Sequence, residues 1–153
     1  MKKKKILILG SHSFSGSCFA EKILKGDKYH LISIYNSKKD NFYLPFKKYH
    51  KKIFLSKKIN LLKDVKILLN IIKKNKPDYI IDFASNCNVN LSWTKTTEIN
   101  QINYLNKINF IKKLSQESFL KKYIYISTPE VFGSNNFFVK ETSNRYNPTS
   151  PYA

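Results

Sequence analysis

The 153-residue chain carries 28 Lys and Arg against 10 Asp and Glu, a formal charge of +18, with 42% hydrophobic residues. That is one domain's length with enough apolar content for a core, which excludes a disordered chain, and no apolar run approaches the ~20 residues that span a bilayer. The basic balance invites a nucleic-acid reading, but Arg145 is the single arginine and lysine doublets such as Lys47-Lys48 and Lys121-Lys122 are scattered along the chain, so the charge reads as a solvated surface without a specific nucleic-acid partner.

The first element is ILILGSHSFSG, Ile6 to Gly16. Its short apolar run is too short for a signal-peptide core, and with no small-residue cleavage site after it a cytoplasmic location is expected. The run turns at Gly10 into small residues and then into a helix starting near Ser15. A strand that feeds a helix through glycines brings backbone N–H groups and the positive helix end to one point, a seat for a pyrophosphate. The common fingerprint has three glycines, and here Ser13 stands at the middle position.

Cys18, Phe19, Ile23 and Leu24 continue at helical spacing to a stop at Gly26-Asp27. Leu31–Ile34 reads as a second strand that ends at Tyr35-Asn36, where a dinucleotide site commonly offers a carboxylate to the adenosine ribose. Asn36 followed by Ser37, Lys38 and Lys39 tilts the cofactor from NAD toward NADP, whose extra phosphate wants cations. Residues 37–52 read as a loop or short helical turn before a small third strand at Ile53–Leu55. Leu61, Leu62, Val65, Leu68, Leu69 and Ile72 predict an amphipathic helix ended by lysines and Pro77. Tyr79–Phe83 is the fourth strand, and its exit Ala84-Ser85-Asn86 is small and polar, as a backbone must be where a ligand lies close.

Trp93 to Leu114 predicts one long helix, with Ile99, Ile102, Leu105, Ile108, Ile111 and Leu114 spaced by threes. Asn103 in its middle faces solvent or ties two strands' backbones together near a cofactor. Tyr123–Ile126 is the fifth strand and runs into Ser127-Thr128-Pro129-Glu130-Val131-Phe132-Gly133. The remainder from Ser134 reads as irregular. Cys18 and Cys87 have no metal-like spacing and are expected as free buried thiols. Strand and helix in alternation specify an α/β fold, a doubly wound parallel sheet of about five strands. Gly10 to Gly16, Asn36, Ala84-Ser85 and Ser127 to Glu130 all fall at the strands' carboxyl ends, where such sheets bind ligands.

These residues resemble the extended short-chain dehydrogenase/reductase family, the NAD(P)-dependent epimerases and dehydratases of nucleotide sugars. Gly10, Ser13 and Gly16 occupy that family's glycine loop, Phe83-Ala84-Ser85 its cofactor-facing strand exit, Asn103 its central-helix Asn, STPEVFGS its Ser/Thr element, and Asn147 to Tyr152 the stretch that delivers its tyrosine. The resemblance implies a Rossmann-like domain over 1–153, with NAD or NADP held by Gly10, Ser13, Phe14, Ser15, Gly16, Asn36, Ala84, Ser85 and Asn103. Thr-x-Glu resembles the 4,6-dehydratases, especially those acting on thymidine-diphosphate glucose. It implies Tyr152 as the base at the sugar carbon 4 hydroxyl, Thr128 as its orienting partner and Glu130 as the base at carbon 5. Pro129 stands where the family carries an acidic Asp, which keeps a 4-epimerase or reductase open beside the dehydratase, with a non-catalytic nucleotide-binding module as a further alternative. The family's Lys four positions after the tyrosine, its last strands and its substrate domain are expected beyond Ala153. The chain is accordingly expected to be an incomplete domain, without full activity and with an exposed fifth-strand edge. The parent enzyme is expected to take a nucleotide sugar and to be a homodimer.

Overall fold

Every predicted strand forms, and the pleat of the first one explains the layering. The computed structural model describes residues 3–37, 44–136 and 138–153; Lys38 and Lys39 lie outside the described residues. Strand β1 (Lys4–Leu9) sends Leu7 and Leu9 to one face and Ile6 and Ile8 to the other, the two-residue alternation of an extended chain. With β2 (Tyr29–Tyr35), β3 (Ile53–Lys58), β4 (Tyr79–Asp82) and β5 (Lys122–Tyr125) it makes a wholly parallel sheet in the order β3-β2-β1-β4-β5. The winding reverses between β1 and β4, so the crevice of a doubly wound sheet opens at the end of β1.

Helix α1 (Phe14–Lys25) covers one face by packing Ala20 and Leu24 on Ile6, Ile8, Leu31 and Ile81, joined by Phe46 from the 3-10 segment Pro45–Lys52. The other face is covered by α2 (Val65–Asn75), through Leu68, Leu69 and Ile72, and by the helix Asn106–Leu114, through Phe110 and Leu114. Leu61 and Leu62 precede α2 rather than belonging to it. Asn60 takes the Leu62 N–H on Oδ1 at 2.9 Å while Asp64 takes the Asn60 N–H at 2.9 Å, a local turn that competes with helix.

The single long helix expected over Trp93–Leu114 is instead α3 (Val89–Thr94), α4 (Thr96–Asn100), a π-helical turn Gln101–Leu105 and α5 (Asn106–Leu114). Lys95, at φ −122° and ψ 38°, breaks the first junction. The wider π turn shifts the phase of the buried face. Ile99, Lys107, Phe110 and Leu114 are buried, whereas Leu105, Ile108 and Ile111 from the spacing by threes are exposed. Both cysteines are free and exposed, not buried as expected: Cys18 lies on α1 and Cys87 in the loop after β4. Strand β5 forms the sheet edge, with Ile124 and Tyr125 exposed.

Candidate functional site

Gly10 takes φ +74°, a backbone state that side chains disfavour. A Cβ there would lie 2.9 Å from Ala84 N and from Phe83 C, and one on Gly16 would lie 2.3 Å from Gly10 O. The β1 turn, the α1 start and the β4 exit therefore meet at backbone contact. Gly10 and Ser11 both donate N–H to Ile34 O, at 2.9 and 3.0 Å. The buried Ser11 hydroxyl also donates to Ile34 O at 3.1 Å and shares a 2.7 Å hydrogen bond with Ser33 Oγ. The turn is thus fastened to the neighbouring strand by a serine that the spacing of glycines does not reveal.

Ser13 is the N-cap of α1. Its Oγ accepts from Gly16 N at 3.1 Å, so the side chain is directed to the helix and not to the space a middle glycine would leave open. The first-turn N–H groups of Phe14 and Ser15 have no intrahelical acceptor and remain as donors for an anion. Phe14 itself is exposed.

A cleft of about 520 Å³ opens at the carboxyl ends of β1 to β4, within the size range of small-molecule sites. Gly10, Ser13, Asn36, Ala84 and Ser85 all line it. Residues that the sequence reading missed also line it. His12 stacks on Tyr35 with centroids 3.7 Å apart and lies 3.2 Å from Ser37 Oγ, and Glu98 is the one carboxylate among the described lining residues. Asn103 is not among the lining residues. From the π turn it accepts the Asn86 N–H on Oδ1 at 2.8 Å and donates Nδ2–H to Asn86 O at 2.9 Å, so that of the two expected placements, facing solvent or joining two strands, it takes neither and ties a strand exit to a helix.

Beneath that exit lies a buried charged cluster. The Lys107 ammonium lies 3.0 Å from Asp82 Oδ2, donates to Ala84 O and sits 3.9 Å from the Tyr125 ring centroid. Asp82 also accepts from Ala84 N at 2.8 Å on Oδ1 and from the Tyr123 hydroxyl on Oδ2. Burial pushes the Lys107 ammonium down, with Asp82 opposing. Burial and then the Asp82 charge push the Tyr123 phenol up. A lysine in a lysine-rich chain reads as solvated, and only its phase with Phe110 and Leu114 signals otherwise.

Thr128, Glu130 and Tyr152 do not line the cleft. Thr128 is half-buried and caps a 3-10 turn (Pro129–Phe132), its Oγ1 accepting from Glu130 N at 3.2 Å, and the Glu130 side chain is exposed. The later segment folds back on this turn: Asn147 N donates to Val131 O at 3.0 Å, and Tyr146 stacks on Phe132 at 5.5 Å. Tyr125, whose phenol is pushed up first by burial and then by Asp82 and Tyr152, brings Tyr152 within electrostatic reach of the end of β5.

The parallel sheet in this order, the glycine turn and the cleft at the strand ends define a Rossmann-like fold, and the sequence matches place it in the class of the extended short-chain dehydrogenase/reductases. The family model for GDP-mannose 4,6 dehydratase matches residues 7–153, and the chain belongs to that family. It is 32% identical, over 98% of its own length, to the dTDP-D-glucose 4,6-dehydratase of Dictyostelium discoideum, and covers 37% of that relative. Among solved structures it resembles the UDP-glucose 4-epimerase of Bifidobacterium longum in complex with NAD+ and UDP (TM-score 0.83, 21% identity, 97% of this chain and 44% of that one). It also resembles the dTDP-glucose 4,6-dehydratase of Bacillus anthracis in complex with NAD (TM-score 0.74, 21% identity, 97% and 46%). The chain therefore spans less than half the length of each of these proteins.

Proposed function

We propose that the chain is the dinucleotide-binding part of a nucleotide-sugar 4,6-dehydratase. The observation that carries the reading is the cleft whose walls at Gly10 and Ala84 come together at backbone contact, with Gly16 packed behind Gly10, so that a single Cβ at either glycine would intrude. Such a cradle fits a dinucleotide. The first-turn N–H groups of Phe14 and Ser15 and the positive end of α1, capped by Ser13, face its pyrophosphate, Asn36 and Ser37 take the ribose end, and Ala84-Ser85, held through Asn86 by Asn103, forms the opposite wall. A nicotinamide held there would supply the hydride acceptor for sugar carbon 4.

The chain's own residues supply the proton steps. Tyr152 takes the carbon 4 hydroxyl proton, Thr128 orients that hydroxyl, and Glu130 removes the carbon 5 proton made acidic by the new ketone and passes it to the carbon 6 hydroxyl, which departs as water. The cofactor is NAD or NADP. Among the described residues, the ribose end of the cleft presents His12, Asn36 and Ser37 and no carboxylate, which supports NADP. The exposed row Leu105, Ile108 and Ile111 supports a homodimeric parent. No helix of the described residues is long and apolar enough to cross a membrane, and a cytoplasmic site of action is proposed.

A 4-epimerase or reductase is the second reading, favoured by Pro129, which opens the 3-10 turn and offers no proton to the leaving hydroxyl. Incubating the complete protein with thymidine-diphosphate glucose and NAD separates them. A keto-sugar absorbing in alkali is the dehydratase result; a product that is only the carbon 4 epimer overturns it.

A further inference from the structure

Lys107 is an expensive residue for its place. It lies on the buried face of α5 in phase with Phe110 and Leu114, and its only ionic partner among the described residues is Asp82, itself 1% exposed. Desolvating both charges offsets most of their attraction, and a well-packed apolar pair of the same volume commonly stabilises as much or more. Fold stability alone therefore gives no account of the pair.

Its geometry gives one. Asp82 Oδ1 takes the Ala84 N–H, and Lys107 donates to the Ala84 carbonyl, so both polar groups of Ala84 are gripped. Four residues earlier on the same helical segment, Asn103 grips both polar groups of Asn86. Ala84 is also the residue whose backbone stands against Gly10 and lines the cleft. We propose that Lys107 is a positioning residue of the dinucleotide site, its ammonium seated on Asp82 and fixing the Ala84 carbonyl, and with it the β4-exit wall, against the glycine turn. This rests on the dinucleotide reading above.

The charged and titratable groups facing the ammonium are Asp82 from β4 and Tyr123 and Tyr125 from β5; β1 and α2 present apolar residues, Leu9, Val65 and Leu68. Proton loss from Lys107 leaves the Asp82 carboxylate without a counter-charge and loosens the grip on Ala84. Burial brings that loss to lower pH than for an exposed lysine.

The test is titration of the chain with NADH and NADPH, followed by fluorescence, for the wild type and for D82N/K107M. The double variant keeps an acceptor for Ala84 N and removes the paired charges together, so its melting temperature is expected to stay at the wild-type value. Its affinity is expected to fall tenfold or more. Wild-type affinity is expected to decline as pH rises into the alkaline range while circular dichroism stays native, and the variant's profile to be flat there. Equal affinity in a folded double variant, or a wild-type profile flat through that range, overturns the assignment of Lys107. Should the double variant not fold, Lys107→Arg decides: its guanidinium keeps the charge on Asp82 to higher pH and is expected to move the alkaline decline upward, and an unmoved decline overturns the assignment. Failure of the wild type to bind either nucleotide strikes the dinucleotide reading instead.

Discussion

Asn103 and Asn86, one in a π-helical turn and the other in the exit of β4, exchange a reciprocal pair of hydrogen bonds of 2.8 and 2.9 Å through one side-chain amide. The amide imitates the backbone of a paired strand, giving the exit the partner that an irregular segment lacks. Replacing Asn103 by Leu keeps the volume and removes both bonds. It is expected to cost about 1–2 kcal/mol in urea unfolding and to weaken NADH binding, since the wall it holds lines the cleft.

Lys107→Met alone leaves the Asp82 carboxylate buried and uncompensated. It is expected to destabilise the chain by about 3–5 kcal/mol. Restoring neutrality with Asp82→Asn in the same chain is expected to return the stability to the wild-type value, as read from paired urea titrations.

Gly16→Ala places a methyl group 2.3 Å from Gly10 O, so the α1 start must withdraw from the turn. Overpacking of this kind costs about 1–3 kcal/mol. NADH binding is expected to be lost at concentrations that saturate the wild type, with the far-ultraviolet dichroism of the sheet and helices retained.

Asn36→Asp introduces a carboxylate at the ribose end of the cleft. Like charges brought together cost several kcal/mol, so NADPH affinity is expected to fall at least tenfold while NADH affinity holds or rises. Competition titrations with the two nucleotides check the ratio.

Asp78 accepts the Lys5 N–H at 2.9 Å and pairs with Lys121 at 3.0 Å, and these two contacts, the backbone one foremost, hold its carboxyl below the usual 3.8. A carboxyl depressed in the folded state stabilises above its unfolded value and loses that contribution as pH falls through its folded value. Urea midpoints are expected to drop on acidification below about pH 4, with a smaller drop in Asp78→Asn.

Much of this was legible in the sequence because local chemistry decides it. The short apolar run Ile6 to Leu9, the helical spacing of Leu68, Leu69 and Ile72, and Gly10 in the turn each announce their element without help from the rest of the fold. What stayed hidden depends on partners distant in the chain. Asp82 meets Lys107 only because β4 packs under α5, and one lysine among so many carries no mark of burial. The phase slip at Gln101–Leu105 exposed Leu105, Ile108 and Ile111, for a π turn leaves the apolar spacing looking regular. Cys18 and Cys87 looked buried because they fall in segments that pack, yet each lies on a solvent side. Near the candidate proton-transfer residues, the segment that precedes Tyr152 folds back on the turn Pro129–Phe132 through the Asn147–Val131 hydrogen bond and the Tyr146–Phe132 stack, contacts that no spacing rule foretells.

The clamps on the β4 exit also set an order of events during synthesis. Gly10, Gly16 and Ala84 leave the ribosome before Asn103 and Lys107 do. A nascent chain can thus close its central strands around an exit that nothing yet holds. On the proposed role of Lys107, nucleotide affinity is expected to arrive late, with the emergence of α5, and a chain stalled ahead of it to carry the cradle without the grip.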